Sequence, residues 1–109
     1  TDRAKDMINR GGEKISAAEV ESCACEMPGV LEAAAFAVPD DELGEAVFLV
    51  VRGEPDTVPH SEALKGYMAG RLASFKVPAH IHVQHTPFER NASGKTLKGV
   101  LKALLLAPD

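Results

Sequence analysis

Residues 45 to 51, EAVFLVV, form a run in which only the first side chain is polar. A strand of this kind has no side to show to water, so it belongs at the centre of a sheet covered on both faces. That demand governs the rest of the chain, which must supply cover from 109 residues. A chain of this length has room for one small domain burying roughly two-thirds of its unfolded surface. The 45% hydrophobic share suits a globular domain, and 5% aromatics without Trp make Val, Leu, Ile and Ala the core material.

The remaining elements follow from periodicity and punctuation. VLEAAAFAV, residues 30 to 38, reads as a second strand, joined to the first by the turn-rich PDDELG. Upstream, MINRGGEKI suggests two very short strands around Gly11-Gly12, since a Gly-Gly turn accepts the positive φ that tight hairpins need. Ser16 with Glu19 makes a capping box. Val20, Cys23, Ala24 and Met27 then fall on one helical stripe that Pro28-Gly29 ends.

SEALKGYMAGRLASF carries a second stripe of Leu64, Tyr67, Met68 and Leu72, weakened by Gly66 and Gly70 at about 1 kcal/mol each relative to Ala. KVP is extended because the residue before proline avoids the helical region. HIHVQHTPF alternates Ile81 and Val83 against His80 and His82. TLKGVLKALLL places Leu97, Val100, Leu101, Leu104 and Leu105 on one side of a last helix, away from Lys98 and Lys102. The expected fold is α+β: a small sheet of about three core strands packed with about three helices, plus an N-terminal two-stranded hairpin.

Several function classes are disfavoured. The net charge of −4 argues against nonspecific nucleic-acid binding, although Arg90, Lys95, Lys98 and Lys102 make one basic end suited to an anion. No stretch has the ~20 apolar residues of a membrane span, and no signal-peptide pattern is seen. Cys23 and Cys25 sit two apart on a helix, a poor disulfide pair, and are expected buried and reduced in a cytoplasmic setting. The opening TDRAKD reads like the continuation of a longer polypeptide.

Chemical motifs narrow further. Gly94-Lys95-Thr96 supplies the end of a phosphate-binding loop, but Glu89 stands where its first glycine belongs. His80 and His82 share a strand face without the further ligands zinc needs, so no metal site is assigned. No nucleophile with its base and orienting acid is recognisable. What remains is DRAKDMINRGGEKIS and ERNASGKTLK, two polar, glycine-bearing segments. From spacing alone they are solvated turns or anion-binding edges in equal measure.

Together and in this order, these segments resemble the carboxy-terminal domain of adenylate-forming enzymes: acyl-CoA synthetases, aryl-acid ligases and peptide-synthetase adenylation domains. DRAKDMINRGGEKISAAEVE resembles the motif that opens that domain, FKVP a stretch before its last core strand, and ERNASGKTLK its closing Pro-Arg-x-x-x-Gly-Lys motif. The likeness covers essentially all 109 residues. Glu89 and Ala17 stand where the family often has proline, and RNASGK is most similar to fatty acyl-CoA ligases.

The resemblance implies one lid domain over residues 1–109, with 1–6 as hinge segment and the catalytic amino-terminal adenylation domain, its partner, absent. It implies a carboxylic acid substrate, ATP, coenzyme A and Mg²⁺, the metal held mainly outside this chain. By position it makes Lys95 the catalytic lysine of adenylation and Lys5 the hinge residue. Arg3 contacts nucleotide, Gly11 and Gly12 border the pantetheine tunnel, Lys14 approaches a phosphate, and Gly94 aims the lysine. An isolated lid is expected to be inactive. The alternatives are an aryl-acid or peptide-synthetase domain loading a carrier-protein thiol, and a non-catalytic interaction module.

Overall fold

The computed structural model describes residues 7–94 and 96–106. Their order is β1 (Met7–Arg10), β2 (Glu13–Ser16), α1 (Ala17–Cys25), β3 (Glu32–Asp40), β4 (Gly44–Arg52), α2 (Ser61–Ala69), a 3₁₀ turn (Ser74–Lys76), β5 (His80–Gln84) and α3 (Lys98–Leu106). This is the α+β order expected, with the hairpin annexed to the sheet.

The apolar run becomes β4, and it is central. Along one side it pairs antiparallel with β3 over nine residues, from Glu32↔Arg52 to Asp40↔Gly44. Along the other it pairs with β1 at Arg10↔Gly44 and in parallel with β5 from Phe48↔His80 to Arg52↔Gln84. Five strands thus form one mixed sheet. A parallel neighbour needs a crossover, which α2 supplies.

Because side chains alternate along a strand, β4 feeds two cores at once. Val47, Leu49 and Val51 face a cluster containing Val20, Cys23 and Ala24 of α1 and Leu64 and Met68 of α2. Ala46 and Val50 face a second cluster with Ala34, Phe36, Val38, Phe88 and Leu101, against which Phe48 and Leu105 pack. Phe36 and Phe48, cross-strand partners, stack with centroids 5.3 Å apart. Two helices cover one face and α3 the other. Lys98 Nζ, 2.6 Å from Glu21 Oε2, links α3 to α1. Glu21 also takes the Ala35 amide at 2.8 Å.

Local expectations meet tertiary corrections. Ser16 Oγ accepts the Glu19 amide at 3.4 Å, but the Glu19 carboxylate goes to Lys76 Nζ at 2.9 Å instead of closing the capping box. Cys23 is buried as expected; Cys25 is exposed, because the buried arc of α1 runs through Ala17, Val20, Cys23 and Ala24. Burial, reinforced by nearby carboxylates, pushes both thiols up, so both stay protonated at neutral pH. Pro39 and Asp40 belong to β3, shortening the expected link to a tight turn. Lys76 lies in the 3₁₀ turn, and Val77, the residue before the proline, takes the extended form. The last apolar stripe is half used: Leu101 is buried while Val100 and Leu104 are exposed.

Two glycines hold the 53–58 loop against the turn after α1. A Cβ on Gly29, at φ +97°, would lie 2.1 Å from Thr57 O, and one on Gly53 2.3 Å from Gly29 O. Gly66 in α2 meets nothing within 4 Å. Gly29→Ala should therefore lose about 2 kcal/mol or more through strain and overpacking, whereas Gly66→Ala should gain up to about 1 kcal/mol. Denaturant unfolding of the two variants reads both, and a common sign would contradict the packing described.

Candidate functional site

The glycine turn is built from both ends of a hairpin. Arg10 pairs with Glu13, leaving Gly11 and Gly12 as a two-residue turn with φ +59° and +92°. Positive φ at both positions is the signature of the hairpin turn that matches strand twist. The turn is docked as well as folded. The Gly11 amide donates to Leu43 O at 2.8 Å, and the Asn9 amide donates to Glu45 Oε1 at 2.7 Å. Asn9 Oδ1 in turn accepts the Gly12 amide at 3.2 Å.

The two glycines are needed for different reasons. A Cβ on Gly11 would sit 3.1 Å from Leu43 Cδ2, whereas one on Gly12 would meet nothing within 4 Å. Gly11 is fixed by its neighbour in the fold; Gly12 opens outward. Lys14 is exposed on β2 opposite Asn9.

Leu43, which receives Gly11, lies in a turn organised by Asp40. Its Oδ1 accepts the amides of Glu42 and Leu43, each at 2.9 Å. Those bonds, the Leu43 one foremost, hold the Asp40 carboxyl below the usual carboxylate range. Asp40 escaped the sequence reading, although Asp at the head of a turn is a recognised signal for this bonding.

The second segment is a closed loop. Arg90 and Thr96 form an isolated antiparallel bridge, and the Leu97 amide donates to Glu89 O at 2.8 Å. Within it the Gly94 amide donates to Asn91 O at 2.9 Å, the Ser93 amide to Asn91 Oδ1 at 2.9 Å, and Gly94 turns at φ +83°. Arg90 Nη1 donates to Gly94 O at 2.9 Å, and its Nη2 pairs with Glu32 Oε1. The basic end expected from sequence is largely engaged internally: Arg90 with Glu32, Lys98 with Glu21, and Lys102 Nζ 5.9 Å from the Phe36 ring centroid. Arg3, Lys5 and Lys95 lie outside the described residues.

Among the described residues, the two segments are not brought together. Gly11 docks beside the Asp40↔Gly44 end of the β3–β4 ladder, while Arg90 is held at the Glu32↔Arg52 end. Eight residue steps separate those ends, roughly 26 Å at about 3.3 Å per step. Sequence order gave no hint of this, because register is a property of pairing. The histidines stand apart again: His80 is exposed and tilts on Phe48 with centroids 5.7 Å apart, and His85 Nδ1 lies 3.2 Å from Gly53 O. Among the described residues, no three His, Cys, Asp or Glu side chains group to hold a metal ion, and no helix is long and apolar enough to cross a membrane.

Comparison with known proteins identifies this arrangement. Residues 19–95 match the family model of the AMP-binding enzyme C-terminal domain. The chain belongs to that family. Among its relatives, a 2-hydroxy-7-methoxy-5-methyl-1-naphthoate–CoA ligase of Streptomyces carzinostaticus is 48% identical over 72% of this chain and 14% of its own length. A 2,3-dihydroxybenzoate–AMP ligase of Bacillus subtilis is 40% identical over 92% of this chain and 18% of its own. The solved structure of a Mycobacterium tuberculosis fatty acyl CoA synthetase superposes with a TM-score of 0.83 at 35% identity, over 92% of this chain and 20% of that one. The chain thus spans a fifth or less of the length of these proteins.

The Asp40 bonds give this C-terminal domain a pH-dependent support for its glycine turn. A carboxyl depressed in the folded state stabilises above its unfolded pKa and ceases to do so as pH falls through the folded value. Asp40→Ala should therefore speed exchange of the Leu43 and Gly11 amides at pH 7. The difference from the parent, corrected for intrinsic rates, should shrink only below about pH 4, the ordinary carboxylate range. A constant difference down to pH 2, followed by NMR, would exclude the carboxylate as its source.

Proposed function

We propose that this chain is the mobile lid of an ATP-dependent, AMP-forming acid–thiol ligase, with residues 1–109 as the lid and 1–6 as its hinge. The observation that carries the reading is the placement of two motif turns at opposite ends of one rigid hairpin. Turns so far apart do not serve one reaction centre at the same moment. A lid that rotates between two half-reactions uses them in succession.

In the first half-reaction a carboxylate oxygen attacks the α-phosphorus of ATP, and the bond to pyrophosphate breaks. Both reactants are anionic. An ammonium fixed between them lowers the repulsion and stabilises charge on the transferring oxygens. Lys95 is assigned that role, with Gly94 shaping its approach, Arg3 at the nucleotide and Lys14 near a phosphate. Lys5 absorbs the hinge rotation. In the second half-reaction the coenzyme A sulfur attacks the acyl carbon and AMP leaves. Gly12, whose side-chain direction is empty, borders the pantetheine path with Gly11. Mg²⁺, held by the amino-terminal domain, would supply neutralisation of phosphate charge for the first step.

Likeness to a fatty acyl CoA synthetase favours a fatty acid, and the naphthoate ligase makes an aromatic acid the comparison to run. Likeness to the 2,3-dihydroxybenzoate–AMP ligase supports a second reading, an aryl-acid adenylating domain, for which a carrier-protein thiol is the acceptor we propose. Assay of coenzyme A against carrier protein separates the two. Unpaired, protonated cysteines suit a cytoplasmic enzyme.

In the full-length ligase, Lys95→Ala should slow adenylate formation by roughly 10²–10³, about 3–4 kcal/mol, and spare thioester formation from supplied acyl-adenylate. Gly12→Leu should show the opposite pattern. Gly44→Ala, another positive-φ glycine with open space around it, serves as the strain control and should favour neither half-reaction. Equal losses in both half-reactions for Lys95→Ala and Gly12→Leu would defeat the two-ended lid. The isolated chain should make no thioester.

A further inference from the structure

We infer that Glu32 is a positioning residue for Lys95, acting through Arg90. Glu32 is the first residue of β3, and its side chain is only 10% exposed. Its two oxygens are shared out. Oε2 pairs with Arg52 Nε, the cross-strand neighbour on β4, and accepts the Phe88 amide at 3.4 Å. Oε1 pairs with Arg90, whose other guanidinium nitrogen donates to Gly94 O. That carbonyl belongs to the peptide bond leading into Lys95. A continuous chain of contacts therefore runs from the β3–β4 ladder to the carbonyl of Gly94, the residue before Lys95.

The charges make Glu32 the keystone of this chain. One carboxylate holds two guanidiniums, and it is better shielded from water than either, at 10% exposed against 21% for Arg52 and 44% for Arg90. Neutralising it leaves two like charges facing each other without the group that joined them. The loop is closed on itself by backbone bonds, but among the side-chain contacts described Arg90 is what fixes it to the sheet. The positive φ at Gly94 makes such fixing useful, because a glycine hinge left unclasped has wide backbone freedom. Phe88, which precedes the loop, is buried in the second core, so the clasp sits beside a firm anchor.

This inference rests on the lid reading, and the experiment separates the two. In full-length enzyme, Glu32→Gln keeps size and one acceptor while removing the charge. It should slow adenylation by roughly 10- to 100-fold, the scale of an ångström-level misplacement, through kcat rather than the KM for the acid. Thioester formation from supplied acyl-adenylate should stay at the parent rate. Hydrogen exchange by mass spectrometry should rise in residues 89–97 and stay unchanged in α1. Unchanged exchange in 89–97, or equal loss in both half-reactions, would overturn the inference. Lys95→Ala runs beside it. If that variant adenylated at full rate the lid reading would fail, while the exchange result would still decide whether Glu32 clasps the loop.

Discussion

The nine-residue pairing of β3 with β4 is the constraint on which the molecule depends. β4 is apolar on both faces, so it must be covered twice, and its register with β3 sets which residues each cover meets. A slip of one residue would turn Val47, Leu49 and Val51 from α1 and α2 toward α3, and exchange the stacked Phe36–Phe48 pair for mismatched neighbours. Hydrophobic burial on two sides thus resists slippage more strongly than backbone bonds alone would. A rigid bar results, with a defined polar group at each end.

Each end is finished by a carboxylate, and the two carboxylates do different work. Asp40 folds its own turn by accepting neighbouring amides, and the turn offers a carbonyl to Gly11. Glu32 reaches outward to two arginines and, through one of them, to Gly94. Both transmit the rigidity of the ladder to a glycine-containing turn, one through backbone bonds and the other through charge. The glycines give conformations that other residues resist; the carboxylates select one of them. Because the two supports stand at opposite ends of the ladder, each turn is held without reference to the other.

The basic character of the chain's last stretch is partly taken up within the fold, Lys95 lying outside the described residues. In the fold, Arg90, Lys98 and Lys102 contact Glu32, Glu21 and the Phe36 ring, so their charge is committed to holding α3 and its preceding loop on the sheet. What these contacts decide is geometry, namely how α3 and the loop before it sit on the sheet. Exposed Val100 and Leu104 show the same helix from its other side, where a stripe expected to bury itself does so only in part.

Sequence by itself determined the elements that depend on nearby residues. The apolar run forced a central strand, Gly-Gly forced a hairpin turn, Ser16 started a helix, and Gly94 before Lys95 marked a sharp turn. Those signals are local, because they act through φ, through the nearest amides or through a residue's own periodicity. Family likeness was legible in the same local motifs. Tertiary structure decided what depends on partners far along the chain: Cys25 facing water, Glu19 diverted to Lys76, Gly29 and Gly53 pressed against opposing backbone, and Glu32 joined to Arg90 across 58 positions. It also set the two motif turns at opposite ends of one hairpin. Strand register and charge pairing arise only when distant segments meet, and no single stretch of sequence contains that information.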